Sequence, residues 1–352
     1  VAHNAADHPD GLPEGQQVTE VSYQDVISGL VAWELNRMSG TRDFCQNVGK
    51  QAYPTLFGGK GVDLGDVRQD VDPVYKVADY RDFVNAIFNQ YAQIELIKDV
   101  DFNQAYISVY RRETPFRGSI DGKGYSLKNI YIDNRDFASD YSSCYAMIGA
   151  AEGAAFKNFD IQSSTFELKT EGSALVYISN DCLYENLRIS DNTIVSAKPR
   201  TGGLVYESNN DNFVNCGIGI DVTVTASPFY GGNHMPVRET PVGGLAWKAI
   251  GSKFTDCYNA GTVTADFGPV GGLVAICNDC NFIHCENSDM GLVQSHDSPD
   301  SAGGIAATAT ISRFYRCANY GRVKATNKYA GAIVGDAKGV TLNSCYQASM
   351  TG

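Results

Sequence analysis

Five stretches of this chain repeat one pattern. "GGLVYESNNDNFVNC" (202–216) returns as "GGLAWKAIGSKFTDC" (243–257), "GGLVAICNDCNFIHC" (271–285), "GGIAATATISRFYRC" (303–317) and "GAIVGDAKGVTLNSC" (331–345). Each copy keeps a small pair, a large aliphatic residue at offset two, Phe or Leu at offset eleven and Cys at offset fourteen. Looser copies begin near 116, 145 and 173, so the successive spacings are 29, 28, 29, 41, 28, 32 and 28 residues. A period between about 20 and 50 residues, with extra length confined to a few units, specifies a solenoid.

The residues inside a unit decide which solenoid. The apolar runs are short and rich in Val, Ile, Thr and Phe, with turns between them, and three fit into one unit. Helical repeats need longer stretches of 3.6-residue periodicity. The expectation is a right-handed parallel β-helix of about eight coils with three strands per coil, each coil about 4.8 Å from the next. Equal offsets then become columns. Offset two is aliphatic (Met147, Leu175, Leu204, Leu245, Leu273, Ile305, Ile333). Offset eleven reads Leu127, Phe156, Tyr184, Phe213, Phe254, Phe282, Phe314 and Leu342. Offset thirteen opens with Asn129, Asn158, Asn186 and Asn215, a candidate amide ladder. Offset fourteen ends in Cys216, Cys257, Cys285, Cys317 and Cys345.

The first third of the chain differs. Residues 1–21 are polar, with Pro and Gly, and read as a loose lead-in. Tyr23, Val26, Ile27, Leu30 and Val31 share a helical face behind Ser22, and Tyr80, Phe83, Val84, Ile87, Phe88 and Tyr91 share another behind Asp79. These place two helices in an N-terminal α/β capping region over 22–115, with the β-helix over 116–352. The chain opens on Val1 without Met or a signal-like segment and reads as a processed or excised piece. A formal net charge of −12 argues against a nucleic-acid partner. No apolar run reaches the roughly 18–20 residues of a membrane span.

"CYNAGTV" (257–263) before "GGLVA" (271–275), and "CANYGRV" (317–323) before "GAIVG" (331–335), resemble the GLUG repeats of secreted and surface bacterial proteins. "PFRGSIDGKGYSLKNIYI" (115–132) resembles the strand that opens the β-helix in those proteins and in bacterial immunoglobulin A peptidases. "SGLVAWELN" (28–36) with "QNVGKQAYPTLFGG" (46–59) resembles a segment of Bacteroidetes members of this group. The resemblance implies a bacterial, secreted or cell-surface setting. It implies no peptidase activity, because the chain contains no H-E-x-x-H motif.

Several constellations could carry chemistry. Stacked in-register cysteines stand near 4.8 Å apart, beyond the ~3.8 Å between Cβ atoms that a disulfide prefers, so the ladder is expected to remain thiols. "CNDCNFIHC" (277–285) has zinc-like ligand types in Cys277, Cys280, His284 and Cys285. Adjacent strand residues point to opposite faces, so His284 and Cys285 should not converge. A Cys277–Cys280 disulfide and two ordinary thiols both remain open. No cofactor or metal is expected. The offset-three column (Ile148, Val176, Val205, Ala246, Val274, Ala306, Val334) has no charge, unlike the carboxylate rows of β-helix polysaccharide enzymes. Asp221, Asp266 and Asp297 fall at turns. Tyr177, Tyr206 and Trp247 form a candidate sugar platform whose parity points inward. The insertions at 227–241 and 296–302 fall at one corner, one coil apart, and bring Tyr230, His234, Arg238, His296, Asp297 and Asp300 into a candidate recognition patch.

Together these features point to a non-catalytic, adhesin-like secreted or surface protein that binds a glycan or a host or bacterial surface protein. The alternatives are a polysaccharide lyase or glycoside hydrolase on a β-helix, and a structural spacer of a larger surface protein. The last coil has no recognisable cap, which raises the expectation of a longer native chain or end-to-end association.

Overall fold

The computed structural model describes residues 44–45, 55–56, 74–87, 89–103, 114–133, 145–228, 239–296, 301–326 and 329–348. The chain divides into two units, residues 1–73 and 74–352. In the first, Phe44–Cys45 pairs antiparallel with Thr55–Leu56. The helix expected behind Ser22 lies outside the described residues.

The second unit is a parallel β-solenoid of about seven turns, with two of its sheets seven strands deep. One coil shows the plan. Val242–Gly243 leads into Ala246–Ile250, then Lys253–Thr255, Tyr258–Asn259 and Thr262–Ala265. Each strand pairs in parallel with its counterpart in the next coil: Val242 with Val270, Ala246 with Val274, Phe254 with Phe282, Tyr258 with Glu286 and Thr262 with Leu292. The middle run is split in two by a bend, and a two-residue strand adds a further short ladder.

Equal offsets do stack from Ala155 onward. Phe156 pairs with Tyr184, Tyr184 with Phe213, Phe213 with Phe254, Phe254 with Phe282 and Phe282 with Phe314. From Tyr184 to Phe314 the ring centroids are 4.5–4.8 Å apart with planes within 6° of parallel. Strand spacing sets that separation, and the rings fill the centre of one continuous core. Tyr184 keeps its place because its hydroxyl donates to Ser179 Oγ at 2.7 Å.

The paired glycines that open each unit are required by close approach. A Cβ on Gly203 would stand 1.8 Å from the carbonyl oxygen of Gly244 in the next coil, and one on Gly244 would stand 1.9 Å from that of Gly272. The small pair is therefore the point where neighbouring backbones nearly touch.

The first coil departs from the expected frame. Ile120, not Leu127, lies beneath Phe156, and Leu127 lies beneath Ile161. The parallel sheet also begins earlier than residue 116, because Val74–Val77 pairs with Gln93–Leu96, and that strand with Ser119–Asp121. The helix Tyr80–Ile87 sits between the first two of these strands. Asp79 Oδ1 accepts from the Arg81 and Asp82 amides at 2.9 and 3.0 Å, which starts the helix. Its Phe83 meets Phe102 edge-on at 5.6 Å.

Two corners of each coil need a left-handed residue. One is filled by Asn158, Asn186, Asn215, Asp256, His284, Arg316 and Ser344, with φ between 51° and 57°. The other is filled by Gly153, Asp181, Asn210, Gly251, Asp279, Ile311 and Gly339. Asn, Asp and Gly tolerate this conformation, whereas a β-branched residue is strained in it. Ile311 (φ 51°) is the outlier, and 56 % of it is exposed, so its side chain recovers little by burial. Ile311→Gly is expected to stabilise the chain by about 1–2 kcal/mol. A thermal melt with an unchanged or lower midpoint would disprove the strain.

Candidate functional site

In each coil the four-residue strand turns a corner into the short strand that opens the next unit. Between Thr262–Ala265 and Val270–Gly271 this corner takes residues 266–269, whereas after Thr223–Ala226 it takes 227–241 and after Leu292–Ser295 it takes 296–300. The long insertion therefore leaves from this corner, whereas in the 32-residue coil the corner is only slightly longer than its neighbour and the turn before Leu292 (288–291, against 260–261 before Thr262) takes the rest of the extra chain. The described edges are tied down. Thr240 hydrogen-bonds Phe267, whose amide donates back to Thr240 Oγ1 at 2.8 Å, and Ser295 Oγ donates to the Gly268 carbonyl at 3.1 Å.

Beside this corner stands a second, smaller cluster, separate from the main core: Tyr177, Tyr206 and Trp247, with Ala146 and Ala275. Tyr145 stacks on Tyr177 at 4.6 Å, Tyr177 on Tyr206 at 4.7 Å and Tyr206 on Trp247 at 4.5 Å. Charged groups of the corner frame the stack. Tyr177 donates to Glu171 Oε1 at 3.3 Å. The Arg200 guanidinium lies 5.3 Å from the centre of the Trp247 ring and Lys248 Nζ 5.8 Å from it. Burial, reinforced by the Glu171 carboxylate, holds the Tyr206 phenol well above its ordinary range, and a hydrogen bond from Arg200 partly offsets this. Trp247 is 9 % exposed, and its Nε1 has no hydrogen-bond partner among the described residues. The rings are buried, so as described they brace the corner and do not form an open platform.

Of the six patch residues, Tyr230, His234, Arg238, Asp297 and Asp300 lie outside the described residues. His296 is exposed at the edge of the second insertion, where its Nδ1 is 3.2 Å from Gln294 Nε2 and its carbonyl accepts from Thr326.

Cys216, Cys257, Cys285, Cys317 and Cys345 sit on successive coils as thiols, all buried except the half-buried Cys345. Each donates to the carbonyl of the aromatic residue one coil below (Tyr184, Phe213, Phe254, Phe282 and Phe314) at 3.4–3.7 Å. Burial raises the Cys216 and Cys285 thiols well above the ordinary range. His284 points outward, with its ring 45 % exposed and Nδ1 3.4 Å from Asp256 Oδ1. It therefore does not converge with the buried Cys277, Cys280 and Cys285.

The outer amide ladder runs from Asn215 to Asn186 Oδ1 at 2.9 Å, from Asn186 to Asn158 Oδ1 at 2.8 Å and from Asn158 to Asp121 Oδ1 at 3.0 Å. Asn129 is not part of it. Its amide donates to Asp101 Oδ1 at 2.9 Å, because the longer first coil puts Asp121 beneath Asn158. A second ladder, inside the core, escaped the sequence reading. Asn259 donates to Asn287 Oδ1 at 2.8 Å, and Asn287 to Asn319 Oδ1 at 2.7 Å. The signal was Cys-x-Asn in three coils, at Cys257, Cys285 and Cys317.

A buried carboxylate was also missed. Asp211 is 1 % exposed. Its Oδ1 accepts from the Cys182 amide at 2.8 Å, and the Ser179 and Ser208 hydroxyls stand beside the carboxylate. Burial pushes its carboxyl up to about 6. Among the described residues, no group of three or more His, Cys, Asp or Glu side chains gathers to hold a metal ion.

The coil geometry places the chain in the class of parallel β-solenoid proteins. A solved IgA1 protease is similar in structure, with a TM-score of 0.50 and 11 % identity, over 77 % of this chain and 21 % of that one. At that identity the likeness concerns the fold alone, and this chain spans about a fifth of the neighbour's length. The sequence matches no protein-family model and no curated protein.

Proposed function

We propose that this chain is a non-catalytic recognition module of a secreted or cell-surface bacterial protein, binding a glycan or a surface protein at the insertion corner. The observation that carries this reading is the contrast between scaffold and corner. Coils 41 and 32 residues long keep their neighbours in register, as Phe213 with Phe254 and Phe282 with Phe314; most of the first coil's extra length goes to this corner, and the second coil's is shared between this corner and the turn at 288–291. Variable segments side by side on a rigid frame are where binding residues gather. Tyr230, His234, Arg238, His296, Asp297 and Asp300 are the residues we assign to it.

The uncharged offset-three column does not bear on catalysis, because it is buried in the core apart from the half-buried Val334. The outward column of the same face is informative: Ala150, Ile178, Glu207, Lys248, Ile276, Thr308 and Asp336. Its two carboxylates are four coils apart, about 19 Å at the usual strand spacing. A glycosidase pair needs roughly 5–9.5 Å. That separation favours binding over hydrolysis.

Right-handed winding is part of the proposal, since parallel strands joined across a sheet wind that way in about 98 % of cases. So is an N-terminal cap built on the helix Tyr80–Ile87. The GLUG-repeat and Bacteroidetes assignments rest on sequence resemblance. The spacer reading draws support from a structural match to only a part of a much longer chain.

A glycan-array screen of the whole chain, paired with an assay for released reducing or unsaturated sugar ends, tests the proposal. Binding without turnover, weakened at least tenfold by Tyr230→Ala or Arg238→Ala, is expected. Turnover abolished by one Asp or Glu substitution would replace this reading with the enzymatic one. No glycan or protein capture at all would leave the spacer.

A further inference from the structure

At the corner after each five-residue strand, two side chains of the same coil turn inward around the left-handed residue. The pairs are Ala151 and Ala154, Ser179 and Cys182, Ser208 and Asp211, Ala249 and Ser252, Cys277 and Cys280, and Ala309 and Ser312. All of these positions are at least nine-tenths buried. Register places Ala249 and Ala309 on either side of Cys277. Ser252 and Ser312 flank Cys280: the Asn281 amide donates to the Ser252 carbonyl at 3.0 Å, and the Cys280 amide donates to Ser312 Oγ at 3.1 Å. Small residues thus surround the one described pair that consists of two thiols.

We propose that Cys277 and Cys280 are a redox pair that closes to a disulfide within their coil, stapling the corner at Asn278–Asp279, while the five stacked cysteines remain thiols. The two sets differ in geometry. The stacked thiols belong to different coils, one strand spacing apart, and each donates to a backbone carbonyl of the coil below. Cys277 and Cys280 belong to one coil, three residues apart, and both turn inward at the same corner, where Cys280 Sγ donates to the Asn278 carbonyl at 3.3 Å.

The co-reactant is a disulfide of the thiol-exchange class, such as oxidised glutathione. One of the two cysteine thiolates attacks one sulfur of that disulfide, forming a mixed disulfide and expelling a thiolate. The thiolate of the other cysteine then displaces the second thiol from that mixed disulfide. One S–S bond is lost and one is formed. Two electrons pass from the protein thiols to the oxidant, and the two thiol protons end on its thiolates. Because both sulfurs are buried, the exchange takes place before the coil closes or during its local opening.

The test uses the whole chain, unfolded and refolded in oxidised glutathione, then alkylated in denaturant without reductant and mapped by mass spectrometry. Cys277 and Cys280 are expected to escape alkylation, joined to each other with a loss of two hydrogens, while Cys216, Cys257, Cys285, Cys317 and Cys345 are labelled. Alkylation of both residues, or linkage of either to another cysteine, overturns the proposal.

The double variant Cys277→Ala with Cys280→Ser copies the neighbouring coils, so it should fold. Adding reductant to the oxidised wild-type chain is expected to lower its melting midpoint by several degrees and to leave the variant unchanged. Equal shifts in both would overturn the stapling role.

Discussion

Asp211→Asn is expected to stabilise the chain by about 3 kcal/mol above pH 7 and to leave it unchanged near pH 4. The carboxyl has a folded-state pKa of about 6 against its usual 3.8. At about 1.36 kcal/mol per pKa unit, that difference gives the magnitude. The folded state favours the protonated acid, so its contribution is fully present below pH 4. It is lost as pH rises through 6, where the buried carboxyl must take on a charge. Asn keeps the acceptor for the Cys182 amide and offers a donor to the serine hydroxyls. Urea melts of both chains between pH 4 and 8 measure the difference. A constant gap across that range would mean that Asp211 does not titrate in the folded state.

Phe254→Ala should have the largest single effect, a loss of about 3–5 kcal/mol. Its ring is fully buried between Phe213 at 4.6 Å and Phe282 at 4.8 Å. Rigid strand spacing prevents the neighbouring rings from closing the gap. Phe254→Leu should cost markedly less, because Leu342 occupies this same column one coil beyond Phe314. In a solenoid each coil contacts only its neighbours, so the damage should centre on the coils of Phe213 and Phe282. Hydrogen exchange that rises first in those coils fits this account. Equal losses for the Ala and Leu variants would show that the stack of rings contributes nothing beyond bulk apolar volume.

The stacking itself could be read from residues. Phe213, Phe254, Phe282 and Phe314 share an offset, and so do the five cysteines, and the pairings match. The Asn at offset thirteen builds an amide ladder, and the left-handed corner selects it as well. That requirement explains why Asp256, His284, Arg316 and Ser344 follow in the same column without continuing the amide ladder. The second corner carried its own signal in Gly153, Asp181, Asn210, Gly251, Asp279 and Gly339, interrupted by Ile311. The inner Asn259, Asn287 and Asn319 were hidden because Asn on a short strand suggests a solvated turn, whereas a ladder of mutual amide bonds lets it be buried.

The candidate site was legible only in outline. Unequal unit lengths located the corner, but not what stands beside it. Arg200 is distant in sequence from Trp247, and nothing local announces that its guanidinium will reach that ring.

From the sequence alone came the period, the inward faces and the partner of each residue wherever units have equal offsets. A slip of one residue would turn every buried side chain to solvent, so the pattern admits one register. The tertiary structure alone decided the rest: the extension of the sheet back to Val74, the longer first coil that replaces Asn129 by Asp121, and the charge environment of Asp211. Those depend on which backbones come within a strand spacing once the coils close, and unequal coil lengths leave that undetermined until the chain is folded.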